Sequence, residues 1–174
     1  MDGTTLRALQ APIKQRYRED PASATITLHA HGQLGEDVQC SVDTARAMVT
    51  AGLHPGAGGD GLSVCSGDML LQALVACAGV TLGAVATALG VHLRAAALHA
   101  EGDLDFRGTL GLDRETPVGF RAIRLRLALD TDADAATLDK LLQLTERYCV
   151  VWQTLAGTPA LHTDLHRAEP SSAE

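Results

Sequence analysis

Apolar and polar residues alternate in several short stretches of the chain, and this alternation is typical of half-buried β-strands. The clearest stretch is FRAIRLRLALD at 120–130, in which the apolar side chains fall on one face and two arginines on the other. The apolar face consists of Ile123, Leu125, Leu127 and Leu129. Strands are also predicted at 24–32, 38–43, 93–108 (with a bend) and 160–166.

Between 67 and 89 the alternation gives way to a continuous apolar segment, GDMLLQALVACAGVTLGAVATAL. Ser66 is a favourable N-cap and Gly90 a favourable stop, so the segment predicts one long helix. A helix that is apolar on all sides is buried in a protein core or in a membrane. The high Ala and Gly content and the lack of flanking basic residues favour the core. Since one chain of this size cannot easily cover such a helix, we expect a second subunit to cover part of it.

A second helix is predicted over 132–148, because its apolar residues recur with helical spacing. Its inner face is predicted to consist of Leu138, Leu141, Leu142 and Leu144. The following segment, CVVWQTLAG, either continues this helix or forms a second short one. The segment 4–19 combines helical spacing with Pro12, so its structure is left open.

Length, charge and the N-terminus narrow the possible functions. Neither a repeat nor a linker divides the 174 residues, which are enough for one domain with a substantial core. We therefore predict a single α+β domain over 1–174, with an N-terminal extension at 1–20 and a frayed tail at 168–174. The net charge of −7 argues against a nucleic-acid groove and against binding to an anionic membrane. No apolar run follows a basic start, so we expect a cytoplasmic protein.

The segment HPGAGGDG at 54–61 has the GxGxxG spacing of a dinucleotide-binding loop. Such a loop follows a strand and precedes an acidic residue about 20 positions later, and neither condition is met. Asp60 lies inside the motif, where its charge would repel a pyrophosphate. We predict that these glycines form a compact turn, with His54 as a turn residue, and we expect no cofactor.

The four cysteines, Cys40, Cys65, Cys77 and Cys149, are the residues best suited to carry chemistry. None forms a CxxC pair, and no His/Cys cluster has the spacing of a zinc site, so no metal is expected. Taken singly, a free cysteine is more often a small apolar side chain of the core. In a reducing compartment, however, disulfides are usually transient and catalytic.

The order of the motifs is more specific than any one of them. The chain carries in succession His54-Pro55, the turn Gly58-Gly59-Asp60-Gly61, the helix SGDMLLQALVACAGVTL and the late segment TERYCVVWQTL. In this order they resemble the OsmC/Ohr family of thiol-dependent peroxidases, as a divergent OsmC-like branch, over about 24–161. The resemblance implies two curved antiparallel sheets packed around the central buried helices of an intertwined homodimer.

The resemblance also implies a chemistry, in which Cys77 matches the peroxidatic cysteine and Cys149 the resolving one. The Cys77 thiolate would attack an organic or lipid hydroperoxide and become a sulfenic acid, with which Cys149 would condense to a disulfide. A dithiol reductant of the lipoyl or thioredoxin type would reopen this disulfide. The implied role is a peroxiredoxin-like defence against oxidative stress.

Such a thiolate needs a lowered pKa, and the middle of a long helix is too far from its N-terminus for the helix dipole to provide it. The family uses an arginine that is held by a carboxylate. Arg16 and Arg18 are the candidates for this arginine, with Arg107 as a third. Each of them also fits a solvated surface charge.

The carboxylate is less well matched than the cysteines. Gly67 occupies the position of the glutamate in the peroxidase branch, whereas Asp68 matches the glutamate of another branch and also fits a helix-start acid. Nine residues of helix span roughly 13.5 Å, so Asp68 and Cys77 of one chain cannot touch. Asp68 would then serve the site of a partner subunit. Val150 replaces the family's proline after Cys149, which is a minor departure.

Two functions from different classes fit these residues. The first is a thiol peroxidase with Cys77 and Cys149 as its redox pair. The second is a non-catalytic relative that binds a small apolar ligand or senses oxidants, and Gly67 in place of a glutamate supports it. Cys40 and Cys65 have no counterpart in the family pattern. The acidity of Cys77 and its distance from Cys149 separate the two functions.

Overall fold

The computed structural model describes residues 2–19, 31–34, 40–43 and 48–167. A 3-10 turn at Pro55–Ala57 lies between its third and fourth strands. Helices mixed with small sheets give the α+β class that the sequence predicts. The elements follow one another in the order α1 (Gly3–Glu19), β1 (His31–Leu34), β2 (Cys40–Asp43), β3 (Met48–Gly52), β4 (Val64–Cys65), α2 (Ser66–Leu89), β5 (Ala95–Asp103), α3 (Phe106–Thr109), β6 (Ala122–Asp130), α4 (Ala135–Tyr148) and α5 (Val150–Ala156).

The first four strands form one sheet in the order β1-β2-β3-β4. The β1–β2 and β2–β3 pairs are antiparallel, whereas β3 and β4 are parallel, with Gly52 opposite Cys65. The sheet is therefore mixed, which corrects the expectation of purely antiparallel sheets. A parallel neighbour needs a connection that returns along the first strand, and residues 53–63 provide this connection.

Two predicted strands have different outcomes in this part of the fold. The segment 38–43 is a strand over Cys40–Asp43, while most of 24–32 lies outside the described residues. The strand predicted at 160–166 is wrong for this chain, because the segment is exposed and has no regular secondary structure. Alternation alone does not make a strand, and within the described part of the chain this segment has no partner strand.

The second sheet consists of β5 and β6, which are antiparallel over their whole length. The alternation predicted for 120–130 is confirmed, since the aliphatic face of β6 is partly buried and its arginines are exposed. On the exposed face, Arg124 donates hydrogen bonds to Glu101 and Asp103 of β5. The strand predicted at 93–108 is present as β5, and its bend contains the short helix α3.

Helix α2 is the central helix that the sequence predicts. It packs against α4, α5 and β5. Its buried stripe repeats every four residues and consists of Leu74, Ala78, Leu82 and Ala86. The other side of the helix is open in a single chain, where Val80 is 77 % exposed. By length and composition alone α2 could also cross a membrane, but in this fold its buried stripe joins Leu141 of α4 in the core.

The helix ends agree with some of the sequence signals and not with others. Gly90 ends α2 in the left-handed conformation, with φ of 73°, as predicted. The predicted N-cap Ser66 is wrong, because Cys65 has the extended backbone of the capping position and Ser66 is already helical. Helix α4 begins after Asp134, whose carboxylate accepts a hydrogen bond from the Thr137 N–H at 2.7 Å. CVVWQTLAG contains a second short helix, α5, after a break at Cys149.

Leu142 is a further correction, because it does not share the inner face of α4. The buried positions of this helix are Leu141 and Thr145, four residues apart. Leu142 lies one step round the helix and is 42 % exposed. It therefore lies at the edge of the core.

The glycines of 54–61 serve the turn between β3 and β4. His54 accepts a hydrogen bond from the Gly56 N–H at its Nδ1 atom, at 2.9 Å, which confirms it as a turn residue. Gly58 has a φ of 95°, a backbone conformation that residues other than glycine rarely adopt. A Cβ atom on Gly59 would lie 1.8 Å from the Leu53 carbonyl oxygen. Both positions therefore require glycine for reasons of backbone geometry.

The segment 4–19, which the sequence leaves open, belongs to helix α1 despite the internal Pro12. The carboxylate of Asp2 accepts a hydrogen bond from the Thr5 N–H at 2.8 Å and so supports the first turn. The candidate residues Arg16 and Arg18 lie in its last turn.

Candidate active site

The structure brings Cys77 and Cys149 together at the contact between α2 and α5. Cys77 lies in the middle of α2, next to the buried Ala78. Cys149 has an extended backbone between α4 and α5, and its sulfur accepts a hydrogen bond from the Trp152 N–H at 3.5 Å. Both thiols are free, and their side chains lie close enough for each to shift the pKa of the other. This is the pair that the sequence proposes as the redox-active cysteines.

The surroundings of Cys77 lower the pKa of its thiol. Burial is the largest single influence and raises the pKa, because it disfavours the thiolate. Hydrogen bonds to the sulfur from the Val151 N–H, the Cys149 thiol and the Val150 N–H together outweigh burial, and the Thr81 hydroxyl adds to them. Cys77 therefore forms a thiolate more readily than an ordinary cysteine.

The pKa of Cys149 moves in the opposite direction. Burial raises this pKa, and the adjacent Cys77 raises it further, against the lowering effect of the Trp152 N–H. The side chain is almost completely enclosed, with the residue only 1 % exposed. The Cys149 thiol is therefore less acidic than the Cys77 thiol beside it.

The donors at Cys77 come from the first turn of α5. The N–H groups of a helix's first turn have no partner within the helix. The Gln153 N–H is bonded to the Cys149 carbonyl at 2.9 Å, so the unpaired donors are those of Val150, Val151 and Trp152. Two of them face Cys77 and the third faces Cys149. Val150 stands where the family has a proline, and a proline has no N–H. The presence of valine therefore adds an N–H donor to the site.

Thr81 is a further residue that sequence reasoning missed. Its hydroxyl donates its hydrogen to the Cys77 carbonyl at 2.8 Å and lies near the Cys77 sulfur, whose pKa it lowers slightly. The spacing could have indicated this contact, because residues four apart on a helix lie on the same face.

The carboxylate candidates lie elsewhere. Asp68 is exposed in the first turn of α2 and, on one continuous helix, lies roughly 13.5 Å from Cys77 along the axis. It borders a groove that also contains Gln72 and His99. At Gly67, a Cβ atom would lie 3.3 Å from the Phe120 ring, so a larger side chain would have to displace that ring. Within one chain, neither position brings a carboxylate to the thiols.

The arginine candidates are also not assembled at the thiol pair. Arg107 is exposed on α3 and bonded to Asp105 through two nitrogens, with a shortest distance of 2.6 Å. This pairing raises the pKa of Arg107 and lowers that of Asp105 to about 2. The side chains of Arg16 and Arg18 lie outside the described part of the structure. Among the described residues, the leading influences on Cys77 are burial and hydrogen bonds, and no charged side chain is one of them.

A cavity of about 430 Å³ adjoins the thiol pair between β6, α2 and α4. Its walls are mainly leucine side chains, and Cys149 and Trp152 form one end. Thr145 also lines it, but its hydroxyl is bonded to the Leu141 carbonyl at 2.7 Å. Asp139 and Glu146 complete the lining. An apolar molecule that entered this cavity would meet Cys149. No group of three or more His, Cys, Asp or Glu side chains that could hold a metal ion occurs in the described ranges.

The fold and the paired thiols define an α+β protein with one pair of adjacent cysteines beside an apolar central helix. The chain belongs to the OsmC-like protein family, whose sequence profile matches residues 58–164, more than half of the chain. This confirms the family that the motifs indicate. No curated protein sequence matches the chain.

Solved structures share this fold at low sequence identity. An OsmC-like protein from Mycoplasma pneumoniae is 18% identical, with a TM-score of 0.64 over 76% of this chain and 89% of that one. An organic hydroperoxide resistance protein from Legionella pneumophila is 16% identical, with a TM-score of 0.60 over 76% and 90% of the two chains. One from Elizabethkingia anophelis is 12% identical, with a TM-score of 0.62 over 77% and 91%. Identities this low establish the shared fold.

Proposed function

We propose that the protein is a cysteine-based peroxidase that reduces organic or lipid hydroperoxides, with Cys77 as the attacking and Cys149 as the resolving thiol. The observation that carries this proposal is the contact between two free thiols whose pKa values are shifted in opposite directions. The attacking sulfur must be a thiolate, whereas the resolving one must supply a proton. Relatives of the same fold are named organic hydroperoxide resistance proteins, which supports this substrate class.

The proposed reaction balances with these two residues and a dithiol. The Cys77 thiolate attacks one peroxide oxygen, the O–O bond breaks, and the alkoxide takes a proton and leaves as an alcohol. Cys77 is then a sulfenic acid. The Cys149 sulfur attacks the Cys77 sulfur, and its proton leaves with the hydroxide as water. A dithiol reductant, of the lipoyl or thioredoxin type, reduces the disulfide and is itself oxidised to a disulfide.

The proposal includes a homodimer. The open side of α2 is apolar, and a soluble chain usually covers a face of this kind with another subunit. Leu161 and Leu165 of the extended segment after α5 are also exposed. In such a dimer, Asp68 and an arginine of α1 would act on the partner's thiol pair. We expect this dimer to work in the cytoplasm, where thiols stay reduced.

The test is oxidation of the purified protein by cumene hydroperoxide, with free thiols titrated before and after and the products mapped by peptide mass spectrometry. We expect rapid loss of two thiols and a Cys77–Cys149 crosslink, which Cys77→Ser abolishes. Cys65→Ser is the matched control, because Cys65 is the N-cap residue of the helix that contains Cys77 but is not a member of the pair. Thiol loss no faster than that of free cysteine would refute the peroxidase.

A non-catalytic relative is the second candidate, and two observations favour it. The space beside Gly67 is occupied by Phe120, so the glutamate of the peroxidase branch has no equivalent there. The apolar cavity beside Cys149 is large enough for a small ligand. Retention of an apolar ligand through purification, together with slow thiol oxidation, would establish this function instead.

A further inference from the structure

Helix α5 is less firmly packed than the two longer helices beside it, α2 and α4. None of its 7 residues is buried, and only Val151 and Trp152 are half-buried. A helix this short is not stable in water by itself. A side-chain hydrogen bond from the Gln153 amide to the Glu146 carbonyl, at 2.9 Å, ties it to α4, but this bond is exposed. The position of α5 therefore depends strongly on the contacts of its first turn.

The first turn of α5 is bound to the two sulfurs of the thiol pair. The N–H groups of Val150 and Val151 donate to the Cys77 sulfur. The Trp152 N–H donates to the Cys149 sulfur at 3.5 Å. These three groups belong to the helix's first turn and have no acceptor within the helix, so the sulfurs take that part. The state of the sulfurs therefore decides how well the first turn is held.

Oxidation of the pair weakens these acceptors. A thiolate is a charged acceptor, and hydrogen bonds to charged groups are roughly twice as strong as those between neutral groups. In a disulfide the same sulfur is neutral and accepts only weakly. The Cys77 thiolate and the Cys149 thiol together give up two electrons and one proton. A hydroperoxide takes these up with one proton from the solvent and becomes an alcohol and water.

We propose that the Cys77–Cys149 disulfide releases the first turn of α5, so that oxidation loosens this helix and the exposed segment after it from α2. The inference rests on the disulfide of the proposed function. The disulfide fixes Cys149 but not the residues that follow it. Because Trp152 forms one end of the apolar cavity with Cys149, loosening of α5 uncovers this end in the oxidised protein alone. The fold thus contains a redox-sensitive switch.

Hydrogen exchange followed by mass spectrometry tests the switch by comparing the reduced protein with protein oxidised by diamide. The amides of residues 153 and 157 are bonded within α5, to the carbonyls of Cys149 and Gln153. We expect the amides of 153–157 to exchange at least about tenfold faster after oxidation, given the strength of hydrogen bonds to a charged acceptor. The turn of α4 that contains the buried Leu141 and Thr145 is the internal reference and should not change. Faster exchange confined to 150–152 would overturn the proposal, because α5 would then remain in place.

Variants of the cysteines connect the change to the pair. Cys149→Ser cannot form the disulfide, so diamide should leave the exchange of α5 as it is in the reduced protein. Cys65→Ser keeps both members of the pair and should show the full change. If α5 loosened equally in Cys149→Ser, the change would not arise from the disulfide and the proposal would be wrong.

A second pair of variants tests the part of the first-turn donors. Val150→Pro has no N–H at this position, so its reduced form has one bond fewer to lose. The difference in exchange between the reduced and oxidised forms should therefore be smaller in Val150→Pro than in Val150→Ala, which keeps the N–H. Equal differences would contradict the role of these donors.

Trp152 offers an independent measurement, because it is the one tryptophan of the chain. A disulfide can itself reduce the fluorescence intensity, so the readout is the accessibility of the indole to the neutral quencher succinimide. We expect quenching to increase on oxidation of the native protein and to stay constant in Cys149→Ser. Unchanged quenching in the native protein would show that α5 remains packed.

The two oxidants separate this inference from the proposed function. If diamide forms the disulfide and loosens α5 but cumene hydroperoxide forms none, the peroxidase is refuted and the switch is retained. If cumene hydroperoxide forms the disulfide and the exchange of α5 does not change, the switch is refuted and the peroxidase is retained. If neither oxidant joins Cys77 to Cys149, both proposals fail.

Discussion

The middle of α2 and its N-terminal end hold two parts of the chemistry that the family resemblance implies, and a single chain completes only one of them. In the middle, Cys77 meets Cys149 and two backbone N–H groups of α5, all fixed by the packing of helices. At the N-terminal end, Asp68 is exposed and Gly67 has a phenylalanine ring beside it. The thiolate is thus stabilised by backbone donors, while the side-chain charges are not assembled around it.

This difference shows how a cysteine in the middle of a helix can become acidic. The dipole of its own helix acts mainly within the first turn and does not reach it. The first turn of a second helix supplies N–H donors instead, because those groups have no partners of their own. If this account is correct, changes at α5 will affect the Cys77 thiolate more than changes at the start of α2.

The largest expected effect comes from Cys149, which has two separable roles. Cys149→Ser keeps a donor to Cys77 but cannot form a disulfide, whereas Cys149→Ala loses both functions. We expect both variants to lose repeated turnover with cumene hydroperoxide and to accumulate a Cys77 sulfenic acid that dimedone labels. Only the alanine variant should also raise the pKa of Cys77. Sustained turnover in either variant would rule out Cys149 as the resolving thiol.

The next largest effect is expected from Val150→Pro, which deletes one N–H donor. A hydrogen bond to a charged group contributes about 1.5–3 kcal/mol, so the pKa of Cys77 should rise by about 1–2 units. Val150 is the first residue of α5, a position that proline tolerates, so the helix should be retained. The measurement is the pH dependence of iodoacetamide alkylation. In the native protein its midpoint should lie below the pKa of an ordinary cysteine thiol, about 8.5, because the pKa of Cys77 is lowered in the folded state.

Val150→Ala is the matched control for this experiment, because it shortens the side chain and keeps the N–H. Its alkylation midpoint should remain that of the native protein. If Val150→Pro left the midpoint unchanged, the N–H of residue 150 would have no part in the stabilisation of the thiolate.

A smaller effect is expected from Thr81→Val, which removes a neutral hydroxyl donor. In the structure the single hydroxyl hydrogen is donated to the Cys77 carbonyl and must turn to the sulfur to stabilise the thiolate, so the pKa of Cys77 should rise by at most about one unit. Thr87→Val is the control, because the Thr87 hydroxyl donates to the Gly83 carbonyl at 2.7 Å on the same helix. Equal shifts in both variants would point to a general effect on α2 and not to a contact with Cys77.

The sequence predicts those parts of the structure that depend on local pattern. The alternation in 120–130 predicts a strand with one solvent-exposed and one partly buried face, and β6 has both faces. Asp134 and Gly90 each cap a helix through contacts with residues only a few positions away. The sequence predicted the helix end at Gly90, whereas the capping role of Asp134 is recognised only in the structure. The pairing of Cys77 with Cys149 came from the resemblance to a family and from no pattern in the residues.

What the sequence could not predict depends on contacts between distant segments. The donors to Cys77 are the backbone N–H groups of residues 150 and 151. Almost every residue type has such a group, so the sequence does not indicate that these two lie beside Cys77. The parallel placement of β4 depends on the course of the loop before it. Leu142 reads as a core leucine, yet one step of rotation round α4 brings it to the rim of a cavity.

The smallest effect on the thiolate is expected from Asp68→Asn, and it tests the comparison from the other end of α2. An exposed carboxylate at this distance contributes at most about 1 kcal/mol, so the alkylation midpoint of Cys77 should move by less than about 0.7 of a unit. Asp164→Asn, in the exposed segment after α5, is the control for a loss of surface charge. If Asp68 positions an arginine beside the partner's thiol pair, turnover with cumene hydroperoxide should also fall in Asp68→Asn. A midpoint shift as large as that of Val150→Pro would mean that charge at the start of the helix governs the thiolate, and the backbone donors of α5 would be secondary.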